Sequence, residues 1–100
     1  MRKLIVSRER KMNGAGVPFY VCVDGKVIGK VENGETEIFT VGTNAQRISV
    51  FADMLDGRHK SYDYPIRPGN SDCKYRIYRK VRLIAKDDMY LEEIWFGFLE

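Results

Sequence analysis

The sequence predicts an all-β fold, a sandwich of about seven antiparallel strands in one domain. Three observations predict it. Apolar and polar residues alternate with period two along several segments, most cleanly over 74–85. The dipeptides Asp24-Gly25 and Asn33-Gly34 punctuate those segments, and Asp-Gly and Asn-Gly suit the type I′ hairpin turn because both central residues need positive φ. The chain has 100 residues, 44% apolar and 31% charged, which fits a single globular unit able to bury a modest core without metals or disulfides.

Leu4-Ile5-Val6 reads as the first strand, ending in the polar run 7–13. A second strand over 17–23 puts Phe19, Val21 and Val23 on one face. After the Asp24-Gly25 turn comes a third strand over 26–31, and after Asn33-Gly34 a fourth over 35–41, so the two glycines mark a three-stranded meander. A two-residue turn sets Val21 opposite Ile28, which sends Val31 to the wrong face. A β-bulge at Gly29-Lys30 restores it, and an isolated strand glycine often marks a bulge.

The segment 46–54 fits two patterns. As a strand it puts Ile48, Val50, Ala52 and Met54 on one face and Arg47, Ser49 and Asp53 on the other. As a helix it has Thr43-x-x-Gln46 for a capping box and Gly57 for a C-cap. The β-branched and aromatic centre favours the strand. Residues 55–69 are the least regular, with Pro65 suiting a short edge strand over 62–66. Along 74–85, Tyr75, Ile77, Val81, Leu83 and Ala85 take one parity; Lys74, Arg76, Tyr78, Lys80 and Arg82 take the other. The last segment, 89–98, is read as the second strand of a terminal hairpin, although Leu91, Ile94, Trp95 and Phe98 also fit helical spacing.

Leu99-Glu100 matches the pair a common cloning site leaves behind, so the domain is expected over 1–98. The three apolar residues near the N-terminus are too few for a secretory signal, which needs about 7–15. The run 94–99 is too short for a membrane span, which needs about 20. A cytoplasmic location is therefore expected, with Cys22 and Cys73, which form no Cys-x-x-Cys pair, as free thiols and Cys22 as a small buried hydrophobe.

Reaction chemistry finds little footing. Gly25-Lys26-Val27-Ile28-Gly29-Lys30-Val31 is one residue short of a phosphate loop and ends in Val. Gly14-Ala15-Gly16-Val17-Pro18-Phe19 has Phe where a dinucleotide fingerprint needs its third Gly. His59 is the single histidine, read as a solvated loop residue, and Ser61 beside it sits in no nucleophile-elbow motif. No catalytic residue, metal ligand or cofactor is therefore assigned.

The candidate binding residues are Arg76, Tyr78, Lys80 and Arg82 on one strand face, about 6.5–7 Å apart, and Trp95, Phe96 and Phe98 at the aromatic end. Cations interleaved with an aromatic can bind single-stranded nucleic acid through phosphates and stacking. The net charge of +3 and pI near 8.9 are mild for that role, so the favoured reading is a solvent-facing strand. Its cations pair with Glu35, Glu37 or Glu92 and guard an edge. The aromatic end is core or a self-association surface.

The run Val21-x-Val23-Asp24-Gly25-Lys26-x-Ile28-Gly29-Lys30-Val31, then Asn33-Gly34-Glu35, Phe39-x-Val41-Gly42 and Ile48-x-Val50, resembles the bacterial PEGA-type β-sandwich domains, with the upstream Leu4-Ile5-Val6-x-Arg8 strand also fitting. The stretch 42–47 is longer than the Gly-x-His usual there and lacks the His. The resemblance covers about a third of the chain and rests on turn and core residues. It implies an Ig-like or PEGA-like sandwich acting as a binding or structural module, and it names no ligand. The expected function is thus a non-enzymatic protein-interaction or structural module, with a protein partner or self-association. The alternative is a nucleic-acid-binding module using the basic, aromatic face.

Overall fold

The computed structural model describes residues 1–10, 16–79 and 89–94. Nine strands lie within them: β1 (Arg2–Arg8), β2 (Phe19–Val23), β3 (Lys26–Val31), β4 (Thr36–Val41), β5 (Arg47–Met54), β6 (Gly57–Lys60), β7 (Tyr64–Pro65), β8 (Cys73–Arg79) and β9 (Met89–Ile94). They form two sheets. Sheet A has the order β4-β1-β8-β9, and sheet B has the order β3-β2-β5-β6 with β7 also paired to β5.

Local chemistry accounts for most of these elements. Asp24 and Gly25 both hold positive φ, 50° and 82°, which is the type I′ geometry that joins β2 to β3. The Asp24 carboxylate accepts the Arg47 N–H at 3.0 Å, tying that turn to the start of β5. The segment 46–54 is a strand, its alternating Ile48, Val50 and Ala52 fully buried. Leu55 and Asp56 then turn the chain into β6, where Gly57 pairs with Met54. Pro65 sits in the two-residue β7, opposite Arg47.

Four expectations are corrected. Nine strands lie among the described residues rather than about seven; the irregular region supplies β6, and the short edge strand expected over 62–66 is β7. Pairing is not wholly antiparallel, since β1 runs parallel to β8 through five register pairs. The meander is broken. After Asn33-Gly34 the chain leaves sheet B, and β4 pairs with β1 in sheet A, so this turn links the two sheets. The bulge lies one step earlier than expected. Cys22 faces Val27 but Val21 faces Gly29, leaving Ile28 as the extra residue. Val31 is still returned to the core, fully buried. The strand expected over 74–85 is described only as far as Arg79, and the continuation of 89–98 past Ile94 lies outside the described residues.

The core is shared by both sheets. Leu4 and Val6 of β1 and Ile77 of β8 meet Val21, Val31, Ile48 and Val50 from sheet B, with Met89 and Leu91 of β9 closing one side. Each such side chain contributes about 1.5–3 kcal/mol by leaving water.

The inner face of β1 begins and ends with a buried cation. Arg2 is 2% and Arg8 5% exposed. Arg2 Nη1 donates to the Arg67 and Gly69 carbonyls at 2.6 and 2.8 Å, and its Nη2 to Cys73 Sγ at 2.8 Å. Arg8 Nη1 donates to the Val17 and Val31 carbonyls at 2.7 and 3.0 Å. Its guanidinium lies 3.5 Å from the Phe19 ring centroid. Each end of the inner face of β1 thus carries a guanidinium that supplies donors to backbone carbonyls.

Tyr75, 1% exposed, stands beside Arg2 and Cys73, and its hydroxyl finds no hydrogen-bond partner among the described residues. Burial, and then the nearby Cys73 and Glu93, push its phenol well above the usual 10.0. The fold therefore prefers the neutral phenol. Stability from this group is intact below pH 10 and is lost as pH rises from there toward the folded value. Tyr75→Phe is expected to hold or raise stability at pH 7 by about 1 kcal/mol, and to flatten the alkaline loss. Urea unfolding at pH 7 and pH 10.5 checks both. A destabilised variant at pH 7 would show that the hydroxyl is bonded.

Candidate functional site

The outer face of β8 carries two of the candidate residues into view, Arg76 and Tyr78. Antiparallel register sets Arg76 opposite Glu92 and Tyr78 opposite Tyr90. Arg76 Nη2 meets Glu92 Oε2 at 3.0 Å, and the two tyrosine rings stack with centroids 5.4 Å apart and planes 20° apart. The Arg76 guanidinium also lies 5.2 Å from the Tyr78 centroid. These are cross-strand pairs, each contributing about 0.2–1 kcal/mol to the sheet. Glu92 is one of the three carboxylates expected to neutralise this strand. Lys80, Arg82, Trp95, Phe96 and Phe98 lie outside the described residues.

A second aromatic and cationic face occurs on sheet B. Tyr20 of β2 and Phe51 of β5 are register partners. Their rings stack 5.1 Å apart at 25°. The Arg58 guanidinium of β6 covers Phe51 at 4.2 Å and grips Asp53 with two bonds, Nε to Oδ1 at 2.7 Å and Nη2 to Oδ2 at 3.3 Å. Beside this stack runs a groove of about 680 Å³ whose lining includes Cys22, Ser49, Phe51, Arg58, Lys60 and Asp63. The hydrogen bond from Arg58 holds the Asp53 carboxyl below its ordinary range, and Asp53 in turn raises Arg58. Burial raises the Cys22 thiol, opposed by a hydrogen bond with Ser49. Lys60 has no carboxylate within ion-pair distance among the described residues, and its register partner is Phe51.

The sequence carries the signals for this face, but only in separate segments. Tyr20 has the parity opposite Phe19, and Phe51 the parity of Ser49 and Asp53. Bringing them together requires the β2–β5 pairing. Adding Arg58 requires the β5–β6 hairpin, which a polar segment such as Gly57-Arg58-His59-Lys60 hides.

His59 corrects its expectation. It is buried, on β6 opposite Ala52, with Nε2 2.8 Å from Asp56 Oδ1. Ser61 is also buried, its Oγ accepting the Val50 N–H at 3.0 Å and donating to the Tyr62 carbonyl at 3.0 Å. The hydroxyl is thus committed to the backbone and holds the chain after β6. Cys22 and Cys73 are both buried free thiols, on opposite sheets. Among the described residues no group of three His, Cys, Asp or Glu converges as a metal site would require, and no helix is long and apolar enough to cross a membrane. Comparison with family models, with curated proteins and with solved structures finds no match.

Proposed function

We propose that this chain is a non-enzymatic protein-interaction module, a PEGA-like or Ig-like β-sandwich acting in the cytoplasm, that receives a protein partner on the outer face of sheet B. The observation that carries the reading is the Tyr20–Phe51–Arg58 stack beside an open groove. Tyr and Arg are residues that interfaces concentrate, because they offer large, rigid contact area together with a polar end. Two of the cations on this face are locally balanced. Arg58 is held by Asp53 and Lys30 by Glu32, the latter at 3.4 Å. Such a mixed surface suits a protein better than a polyphosphate, which rewards unpaired cations. Lys60 is the one groove cation available for a partner's carboxylate, with an apolar side chain of the partner seated against Phe51.

The alternative is nucleic-acid binding through Arg76, Tyr78, Lys80 and Arg82. It is weakened by the Arg76–Glu92 pair, which any phosphate would have to displace. A two-armed experiment tests the choice. In the first, the protein is titrated with mixed-sequence single-stranded oligonucleotides at 25 mM salt and above; the expected result is no binding, and salt-sensitive binding would reverse the assignment. In the second, cross-linked partners are recovered from the source cell with the native protein and with the Phe51→Ala/Arg58→Glu variant. A protein captured by the first and lost with the second, at native circular dichroism, supports the sheet B face. Capture unaffected by the double change overturns it.

A further inference from the structure

We infer that β4 is a self-pairing edge, and that a second copy of this chain adds its own β4 antiparallel to it, joining the two A sheets into one. The inference concerns an edge that the sheet B reading does not use, and it stands apart from that reading.

Exposed edges are normally guarded by lysines, prolines, bulges or short length. The edge strand β3 carries Lys26, Lys30 and the Ile28 bulge, and β7 has Pro65 and only two residues. Strand β4, Thr36-Glu37-Ile38-Phe39-Thr40-Val41, has no lysine, proline or bulge, and its one charge is Glu37, set opposite Val6. Its six residues keep an unbroken register with β1 and are rich in β-branched types, and among the described residues no strand lies on its other side. Ile38 stands 59% exposed on it.

The phase of the ladder shows which backbone groups are open. The Arg8 N–H donates to the Glu35 carbonyl at 2.9 Å, one step beyond the Ser7–Thr36 pair. Bonded pairs alternate along an antiparallel ladder. Glu37, Phe39 and Val41 therefore bond to β1, while Thr36, Ile38 and Thr40 turn their N–H and C=O groups to the open edge.

Those three residues are self-complementary. A two-fold axis at Ile38 sets Ile38 against Ile38 of the second copy and Thr36 against its Thr40, so all three outward residues exchange both of their hydrogen bonds. Threonine pairs and apolar pairs are favourable cross-strand neighbours. Sliding the register by two residues one way sets Glu37 against Glu37, and sliding it the other way leaves Thr36 opposite Gly42, beyond the strand. In the central register Glu37 faces Phe39 of the second copy. Charge and hydrogen bonding thus select the same alignment. The partner's exposed Ile38 covers this one, next to Ile5 on β1.

Sedimentation velocity over a concentration series tests the pairing, together with residue-resolved amide exchange on the same full chain. The expected result is a monomer–dimer equilibrium in which the amides of Thr36, Ile38 and Thr40 become protected as concentration rises. Those of Glu37 and Phe39, bonded within the monomer, are protected throughout. Ile38→Lys opposes two ammonium groups across the axis and is expected to weaken association at least about tenfold, with circular dichroism unchanged because the side chain is exposed. Phe51→Ala/Arg58→Glu is expected to leave association intact, which separates this edge from the sheet B face. A chain monomeric at every concentration, outward amides never protected, or a dimer indifferent to Ile38→Lys each overturns the inference.

Discussion

Replacing Arg8 by Met is expected to cost about 3 kcal/mol of folding stability. The methionine keeps the length and the apolar stem of the side chain, so packing beside Phe19 is largely preserved. What it removes is the donor. Arg8 Nη1 serves the carbonyls of Val17 and Val31, which belong to the entry into β2 and the end of β3, whereas Arg8 itself belongs to β1. One side chain of sheet A therefore satisfies two backbone acceptors of sheet B. Hydrogen bonds from a charged donor contribute about 1.5–3 kcal/mol each, and a buried acceptor left without a donor keeps its desolvation cost. The stacking over Phe19 adds about 1 kcal/mol or more when desolvated. Against these stands the cost of burying a guanidinium, which Met does not incur. The difference leaves the expected loss at about the stated figure. Urea unfolding at pH 7 measures it as a lower midpoint with an unchanged slope. Arg8→Lys restores the charge but lacks the planar fork, so a partial recovery is expected. A midpoint in Arg8→Met equal to that of the native chain would remove this tie from the account of the fold.

Arg8 also shows where sequence reading stops. A charged residue after Leu4-Ile5-Val6 is ordinarily solvated, so the sequence alone ends the first strand before it. Its parity, shared with Arg2, Leu4 and Val6, is inward, but parity alone does not say that a cation follows it. Local signals were well expressed elsewhere. Asp24-Gly25 made its turn, Ile48, Val50 and Ala52 made a buried strand face, and Pro65 took an edge. Each of those outcomes depends on a few neighbouring residues. The unreadable features depend on partners far along the chain. Nothing near Leu4 states that β8 will lie beside it in parallel, and nothing at Asn33-Gly34 states that β4 will cross to the other sheet. The candidate site divides the same way. Arg76 and Tyr78 were legible because one strand carries both, while the Tyr20–Phe51–Arg58 stack needs the register of three strands before it exists.

Gly29→Val is expected to destabilise the fold by about 2–3 kcal/mol, for a reason opposite to the usual one. Glycine inside a strand is normally a loss, and a side chain there gains about 0.5–1 kcal/mol in chain entropy. Gly29 has no positive φ to protect. The demand comes from Phe39. A Cβ added at Gly29 falls inside the contact distance of Phe39 Cε1, and reaches 3.3 and 3.4 Å from Cζ and Cδ1. Because the bulge places Gly29 rather than Ile28 opposite Val21, the inner side of β3 is bare there. Phe39, opposite Leu4 on β4, lays its ring into that space and packs against the core. Bulge, glycine and phenylalanine are thus one device by which the two edge strands approach each other. Valine must displace the ring, and overpacking outweighs the entropy gain. The coupling is testable by a double-mutant cycle. Phe39→Ala opens the space, so Gly29→Val on that background should cost at least about 1 kcal/mol less than on the native one. Equal penalties on both backgrounds would show that the glycine answers to something other than the Phe39 ring.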